Sequence, residues 1–447
     1  MRSQMALTTE REEVLWWLLQ RHASPAVASS CSRDAAVTMD GEAQEGSCAP
    51  ELCLNYDEFT QVAAECREAL GPSADVYFQA SIFLRLARDA GGCVPAAALF
   101  RYCSARSTQM LLQTELCSFG TNCIGWLSPL QLQQWLQSCA PAAACSRAGV
   151  SEADWCTAVA ARLLLMHGRR GRVAIRDLVA SPGAHALATA LQALAAAAAA
   201  VAAVEPSSVD GGSTSTTISP VLAAIMQLDE AWFSPAAAAG LRCQFNKLDA
   251  DGDGLLSQHE FSSFSQGTMT SLAIQRLFAH HCGTGSITAA LSSSSNGSRD
   301  SSRGSSSRGG CGKAVAGGGM DFAAFCAFCA AWDARHHPAA IRFFFPLLDQ
   351  RGCGYLGQAD LYTLIREVLA LWVALGQQEE VRVEDVLAEV NDLLQAPDPG
   401  RISVADLHRC GTGGTSIGLL LDVNLFWEYE NREALLQQHQ QAQAAES

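Results

Sequence analysis

The sequence predicts an all-α protein of repeated helix–loop–helix pairs interrupted by low-complexity insertions, and three observations carry that prediction. Apolar residues recur at helical spacing through two long blocks, Leu52 to Pro182 and Ala231 to Leu436. A unit of helix, glycine-bearing loop, small apolar stretch and second helix recurs about every 35 to 50 residues along both. Two segments, 183–229 and 283–319, are too rich in Ala, Ser, Thr and Gly to belong to either block.

In chain order, residues 1–50 form a short helix around Trp16, Trp17, Leu18 and Leu19, followed by a polar linker from residue 23. Residues 51–182 are expected to be a first helical domain of degenerate loops. Within it the run LSPLQLQQWLQ places Ser128 as an N-cap and Pro129 at the first helical position. Residues 183–229 read as a linker, its tract Ala195–Ala200 favouring helix and its stretch Ser207–Ser219 favouring loop. Residues 230–436 form the second domain, broken at 283–319 by SSSSNGSRDSSRGSSSRGG, which is expected to be disordered because it has no apolar surface to bury. The tail 437–447 is polar and expected to fray.

A length of 447 residues suggests two or three compact units, and a hydrophobic fraction of 49% is enough for real cores. Thirty basic residues against forty-five acidic ones give a net charge of −15, which argues against nucleic acid as a partner. Glu10, Arg11, Glu12 and Glu13 precede the first short apolar run, so no secretory signal is expected. The most membrane-like stretch, Leu191–Val204, falls short of the roughly 20 residues a span needs. The expectation is a cytoplasmic protein without membrane contact. Its eighteen cysteines follow no spacing framework and are expected to be free thiols. Cys326 and Cys329 lack the second pair a zinc site needs and are read as one buried helix face.

The sharpest motif is DADGDGLLSQHE, Asp249 to Glu260. Calcium is a hard cation that takes six to eight oxygens, and this run offers them at the spacing of an EF-hand loop. Asp249, Asp251 and Asp253 supply carboxylates from positions 1, 3 and 5, and Gly254 permits the turn at position 6. Leu255 offers its backbone carbonyl at position 7. Ser257 at position 9 ligates directly or through water, and Glu260 at position 12 closes the site with two oxygens. Leu256 is expected to face a paired loop. That partner should be entered by Met269–Phe278 and left by Met320–Trp332, with the low-complexity insertion where its ligands would be.

A second frame, DQRGCGYLGQAD, runs from Asp349 to Asp360, but Arg351 and Cys353 replace the ligands at positions 3 and 5. This loop is expected to fold and to hold no cation. Its mate runs from the helix VEDVLAEVNDLL into PDPGRISVADL, with Asp406 at position 12. Two further ligand-poor frames lie at Gly125-Trp126-Leu127 and Gly171-Arg172-Val173. No catalytic constellation is present: the run Gly411–Ser416 lacks the lysine and the preceding strand of a phosphate loop, and the pairs His280–His281 and His336–His337 read as solvated helix ends.

These residues resemble the B-double-prime regulatory subunits of protein phosphatase 2A, in particular the gamma type that includes plant FASS/TONNEAU. The most specific stretch is DVNLFWEYENREALL, Asp422 to Leu436. The acidic loop followed by GTMTSLAIQRLF, then MDFAAFCAF, LLDQRGCGYL and EVNDLLQAPDPGRISVADL, are similar in the same order. In the first block LNYDEFTQVA, WLSPLQLQQWL and WCTAVAARLLL match. The resemblance implies a non-enzymatic regulatory subunit that docks on a HEAT-repeat scaffold next to the phosphatase catalytic chain and directs dephosphorylation of protein substrates. It also implies a place at centrosomes or cortical microtubules, and a calcium ion on Asp249, Asp251, Asp253, Ser257 and Glu260. The alternative is a stand-alone EF-hand calcium sensor or scaffold protein, against which stands the presence of a single intact loop.

Overall fold

The computed structural model describes residues 7–25, 52–89, 91–120, 125–202, 231–282, 319–376 and 381–446. The expected loop Ser207–Ser219, most of the linker 23–50 and all but Gly319 of the insertion 283–319 lie outside them, while the alanine tract lies within the helix Pro182–Ala202. Helix dominates, and the strands are segments of two or three residues sitting at loops.

The loops come in pairs. Among the described residues, antiparallel contacts join Leu54 to Val94, Leu127 to Val173, Leu256 to Met320 and Leu356 to Ile402. All eight side chains are no more than 1% exposed. Leu256 and Met320 exchange N–H···O bonds of 2.8 Å, and Leu356 and Ile402 exchange bonds of 2.8 and 2.9 Å. The pairing follows from the sequence: a lone loop strand would leave both its backbone edge and its one apolar side chain in water. The frames at Trp126-Leu127 and Arg172-Val173 thus turn out to be mates. The pair Leu54–Val94 lies where no frame was expected.

Four of these loops hand over to their helices through a reciprocal cap. Asn55 with Glu58, Ser128 with Gln131, Ser257 with Glu260 and Ser403 with Asp406 form reciprocal capping boxes. The first residue accepts from the N–H of the second, whose own side chain accepts from the N–H of the first. The three-residue spacing is that between positions 9 and 12 of a calcium loop. Helix entry is therefore closed by protein groups alone in loops that lack metal ligands.

The chain divides into two compact units, Met1–Thr121 with Val179–Thr189, and Asn122–Leu178 with Ala190–Ser447. In the first, the helix Thr9–His22 packs on Tyr56–Leu70 and Ala96–Phe119, burying Leu15, Leu19, Leu54, Phe59, Val62 and Cys66. Leu7 N–H donates to Ser107 Oγ at 2.7 Å, which ties the start of the described chain to the long helix. In the second unit the helix Glu152–His167 packs against Pro129–Ser138, Pro235–Leu248 and Phe322–Asp333. Its Trp155 is buried and donates Nε1–H to the Phe233 carbonyl at 2.8 Å, while Asp154 pairs with Arg242. Residues 125–178 therefore fold with the C-terminal helices, although composition groups them with the N-terminal block.

Cys326 and Cys329 lie on the helix Phe322–Asp333, both buried, and burial pushes both thiols up from their ordinary values. His337 caps the helix Pro338–Leu348, its Nδ1 accepting from Ala339 N–H at 3.2 Å. His281 corrects the solvated-end expectation. Its ring stacks on Phe343 at 3.8 Å and its Nε2 lies 3.0 Å from the Phe343 carbonyl, with burial pushing its value down to about 4.

Candidate metal centre

The acidic loop sits between the helix Pro235–Leu248, capped at its N-terminus by Ser234 and entered through Pro235, and the short helix Gln258–Phe261. Phe245 at the end of the entering helix meets Phe322 and Phe325 edge-on, and Phe261 meets Phe328 in the same way, so both arms are anchored in one aromatic cluster. Gly252 and Gly254 take φ of +70° and +81°, the left-handed conformation that glycine enters without a Cβ penalty.

Asp249, Asp251 and Asp253 converge, with one carboxylate oxygen from each within 4.8 Å of the others. Each is held by a backbone donor. Asp249 Oδ2 accepts from Gly254 N–H at 3.1 Å, Asp251 Oδ1 from Asp253 N–H at 3.1 Å, and Asp253 Oδ1 from Leu255 N–H at 2.7 Å. Asp249 Oδ1 is buried and has no hydrogen-bond partner. Three carboxylates this close repel one another, and a buried oxygen without a partner carries a desolvation cost. A hard divalent cation relieves both, so the donor set fits calcium. Leu255, 43% exposed, can offer only its carbonyl.

Ser257 and Glu260 are turned toward each other. Glu260 Oε2 accepts from Ser257 N–H at 2.8 Å and from Ser257 Oγ at 2.7 Å, while Oε1 accepts from Ala250 N–H at 2.9 Å and Asp251 N–H at 3.4 Å. These donors, Ser257 N–H foremost, pull the Glu260 carboxyl down to about 2. Of the six residues expected from sequence, the three aspartates are thus gathered, Leu255 follows in register, and Ser257 with Glu260 closes the loop on itself. Four hydrogen bonds thus occupy the lone pairs of the position-12 carboxylate, and Glu260 would have to give up some of them to help hold a cation.

In the loop a hundred residues on, the same skeleton recurs. Asp349 Oδ2 accepts from Gly354 N–H at 2.6 Å and Asp360 Oδ2 from Gly357 N–H at 2.8 Å. Here Asp349 Oδ1 is satisfied by Cys353 N–H at 3.0 Å, and Arg351 pairs with Asp360. In its mate, Asp406 accepts from Ser403 and is paired with Arg409.

One functional-looking element escaped the sequence. After Phe264 the chain turns sharply, with Ser265, Gln266 and Gly267 all at positive φ (52°, 60° and 79°), and Met269 then bridges antiparallel to Asp422. The stretch leaving the acidic loop is thereby joined to the start of the C-terminal DVNLFWEYE segment. The signal available was Asp422 itself, an acid placed directly before the apolar run VNLFW, where an N-cap belongs.

No model of a known protein family matches the chain. It is similar to TON2 of Arabidopsis thaliana, a probable B'' regulatory subunit of serine/threonine-protein phosphatase 2A, 26% identical over 389 residues that cover 86% of this chain and 70% of the relative. It is also 26% identical to the gamma form of the B'' regulatory subunit of Bos taurus over 441 residues, 97% of this chain and 78% of the relative. The gamma form of Danio rerio is 31% identical over 215 residues, 48% of this chain and 40% of the relative. A solved structure titled as a PP2A PR70 holoenzyme superposes with a TM-score of 0.48 at 18% identity, covering 71% of this chain and 98% of that one, a likeness too slight to bear on fold or function. Over most of its length the chain is thus similar to proteins named as B'' regulatory subunits of protein phosphatase 2A.

Proposed function

We propose that this chain is a non-catalytic regulatory subunit that assembles with the scaffold and catalytic subunits of protein phosphatase 2A and directs them to protein substrates. The observation that carries the reading is the alignment over 97% of the chain with proteins named as such regulatory subunits. Its test is affinity capture of the full chain under native lysis. Co-purification of a HEAT-repeat scaffold and a phosphatase catalytic subunit is the expected outcome, and capture of neither would defeat the proposal. A place at centrosomal or cortical microtubule arrays is the finer expectation the resemblance supplies, checked by imaging a tagged chain.

The second half of the proposal is one calcium ion at Asp249–Glu260. It is supported by the gathered carboxylates of Asp249, Asp251 and Asp253 and by the unpartnered Asp249 Oδ1. When bound, calcium would supply the charge that those three residues lack. The chain's own residues do the rest: Gly254 N–H orients Asp249, Leu255 N–H orients Asp253, and Leu256 pairs with Met320 to hold the loop closed. Calorimetry should find one equivalent, lost on Asp249→Asn. A stand-alone sensor is the outcome if calcium binds and no phosphatase subunit is captured.

A further inference from the structure

The two loops Asp249–Glu260 and Asp349–Asp360 share a register in which equivalent residues differ by a hundred in number. Their backbones are pinned alike. Gly254 and Gly354 donate to the first aspartate of their loops, Ser257 and Gly357 N–H donate to the position-12 carboxylate, and Leu256 and Leu356 bridge to their mates. What differs is the source of positive charge. Asp360 is buried, 2% exposed, and a buried carboxylate needs a partner. Arg351 supplies it bidentately: Nε lies 3.2 Å from each carboxylate oxygen and Nη2 lies 2.8 Å from Oδ2. A planar guanidinium matches a carboxylate in this two-pronged way.

Gly357 makes room for the fork. A Cβ built at this position would run into Arg351 Nη2, whereas the equivalent Ser257 of the first loop carries a side chain without conflict. Its φ of −102° needs no glycine, so the demand here is for space. The oxygen left without a partner in the first loop, Asp249 Oδ1, has as its counterpart Asp349 Oδ1, which accepts from Cys353 N–H at 3.0 Å. Every carboxylate need that a cation would meet in the first loop is therefore met from within the chain in the second.

We infer that Arg351, housed by Gly357, is a tethered substitute for the divalent cation, and that it keeps the second hand closed whether or not calcium is present. Repulsion of an ion by Arg351 is then only half of its role. Its larger role is to hold Asp360, and through Asp360 the Gly357 N–H and the Leu356–Ile402 bridge. The inference takes its register from the calcium frame of the first loop, while the ion itself plays no part in it.

The test uses the full chain, titrated with calcium to millimolar concentrations by calorimetry and with terbium by luminescence excited through tyrosine. Tyr355 stands at position 7, where a lanthanide in the second loop would be sensitised by it, while the first loop carries Leu255 there. Arg351→Asp combined with Cys353→Asp restores aspartates at positions 1, 3 and 5. This double variant is expected to bind one calcium equivalent more than the native chain. It should also show new tyrosine-sensitised terbium emission, removed by adding Tyr355→Phe. Amide exchange at Leu356 and Ile402 should ignore a chelator in the native chain and accelerate about tenfold or more with chelator in the variant. Tyr355-dependent terbium emission from the native chain would overturn the inference, as would a folded double variant that gains no equivalent.

Should the double variant not fold, Gly357→Ser alone answers the question. It places a side chain where the guanidinium lies and should speed exchange at Leu356 and Ile402, and unchanged exchange would sink the idea. A native chain with no calcium equivalent and a variant with one would remove the first-loop proposal and leave this one standing. One equivalent in both would do the reverse.

Discussion

Thr268 Oγ1 donates to Asp422 Oδ2 at 2.8 Å across 154 residues of chain. The other carboxylate oxygen, Oδ1, accepts from Asn424 N–H at 2.8 Å and Leu425 N–H at 3.1 Å, capping the helix Val423–Glu430. Backbone bonds flank the contact, from Thr270 N–H to the Leu421 carbonyl at 3.0 Å and from Val423 N–H to the Thr268 carbonyl at 2.9 Å. Asp422 is 1% exposed, so the three donors to its carboxylate depend on it for satisfaction in a water-poor place. Asp422→Ala removes a cap and strands buried donors, and should cost about 2–3 kcal/mol in urea unfolding. Thr268→Ala removes one hydrogen bond and should cost about 1 kcal/mol. A double-mutant cycle that shows no coupling between the two would contradict the contact.

Glu260→Gln keeps the size of the position-12 side chain and removes its charge. Calcium affinity measured by calorimetry should fall by about tenfold or more, because a bidentate carboxylate becomes a single neutral oxygen. Ser257→Ala acts differently. It should lower stability in chelator by about 1 kcal/mol through loss of the cap, with a smaller effect on the melt in calcium.

The bridged loop residues should behave as core despite their place in loops. Leu127→Ala, opposite Val173 and fully buried, should cost about 2–5 kcal/mol. Leu130→Ala, three residues on but 48% exposed, should stay within about 0.5 kcal/mol. Equal effects from the two in denaturant melts would show that the Leu127–Val173 contact is not formed in solution.

His281 sets an acid limit. Burial against Phe343 pushes its value from 6.5 down to about 4, so the folded form holds the neutral ring. Between those values the unfolded chain takes up a proton that the folded chain refuses. Stability conferred by the neutral ring is therefore whole above about pH 6.5, declines as pH falls toward 4, and changes no further below that, at most about 3 kcal/mol in all. His280, His337 and His408, also lowered first by burial, push in the same direction. His281→Gln keeps a donor for the Phe343 carbonyl and should flatten the pH dependence of the melt across that interval.

The gathering of Asp249, Asp251 and Asp253 was legible because the three carboxylates stand at fixed offsets in one loop, so spacing alone could place them together. That Leu256 would face a paired loop was legible too, as an apolar residue directly ahead of a cap, whereas Met320 had been placed at the start of the exiting helix rather than opposite it. Arg351 shows where spacing stops. Its replacement of a ligand is written in the sequence, but its partner depends on which way a long side chain folds and on the empty volume at Gly357. The second unit's boundary was hidden because Trp155 finds Phe233 only in three dimensions, whereas a change of composition marks where apolar residues thin out rather than where packing divides. The Leu54–Val94 pair could have been found. Leu54 stands directly ahead of Asn55 and Glu58, the arrangement that also follows Leu127, Leu256 and Ile402.

The exit from the acidic loop is a single turn of helix, Gln258–Phe261, before the chain reverses through Ser265, Gln266 and Gly267. Four residues of helix reach only about 6 Å. A lever that short cannot sweep a large arc, so tilting of the loop would be delivered as a tug on the Met269–Asp422 bridge rather than as the swing of a long rod. The three left-handed residues between them act as the bend in the linkage, two of them paying a steric cost that glycine would not. The exit from the acidic loop and the start of the C-terminal segment are thereby linked through a tight turn and one backbone bridge.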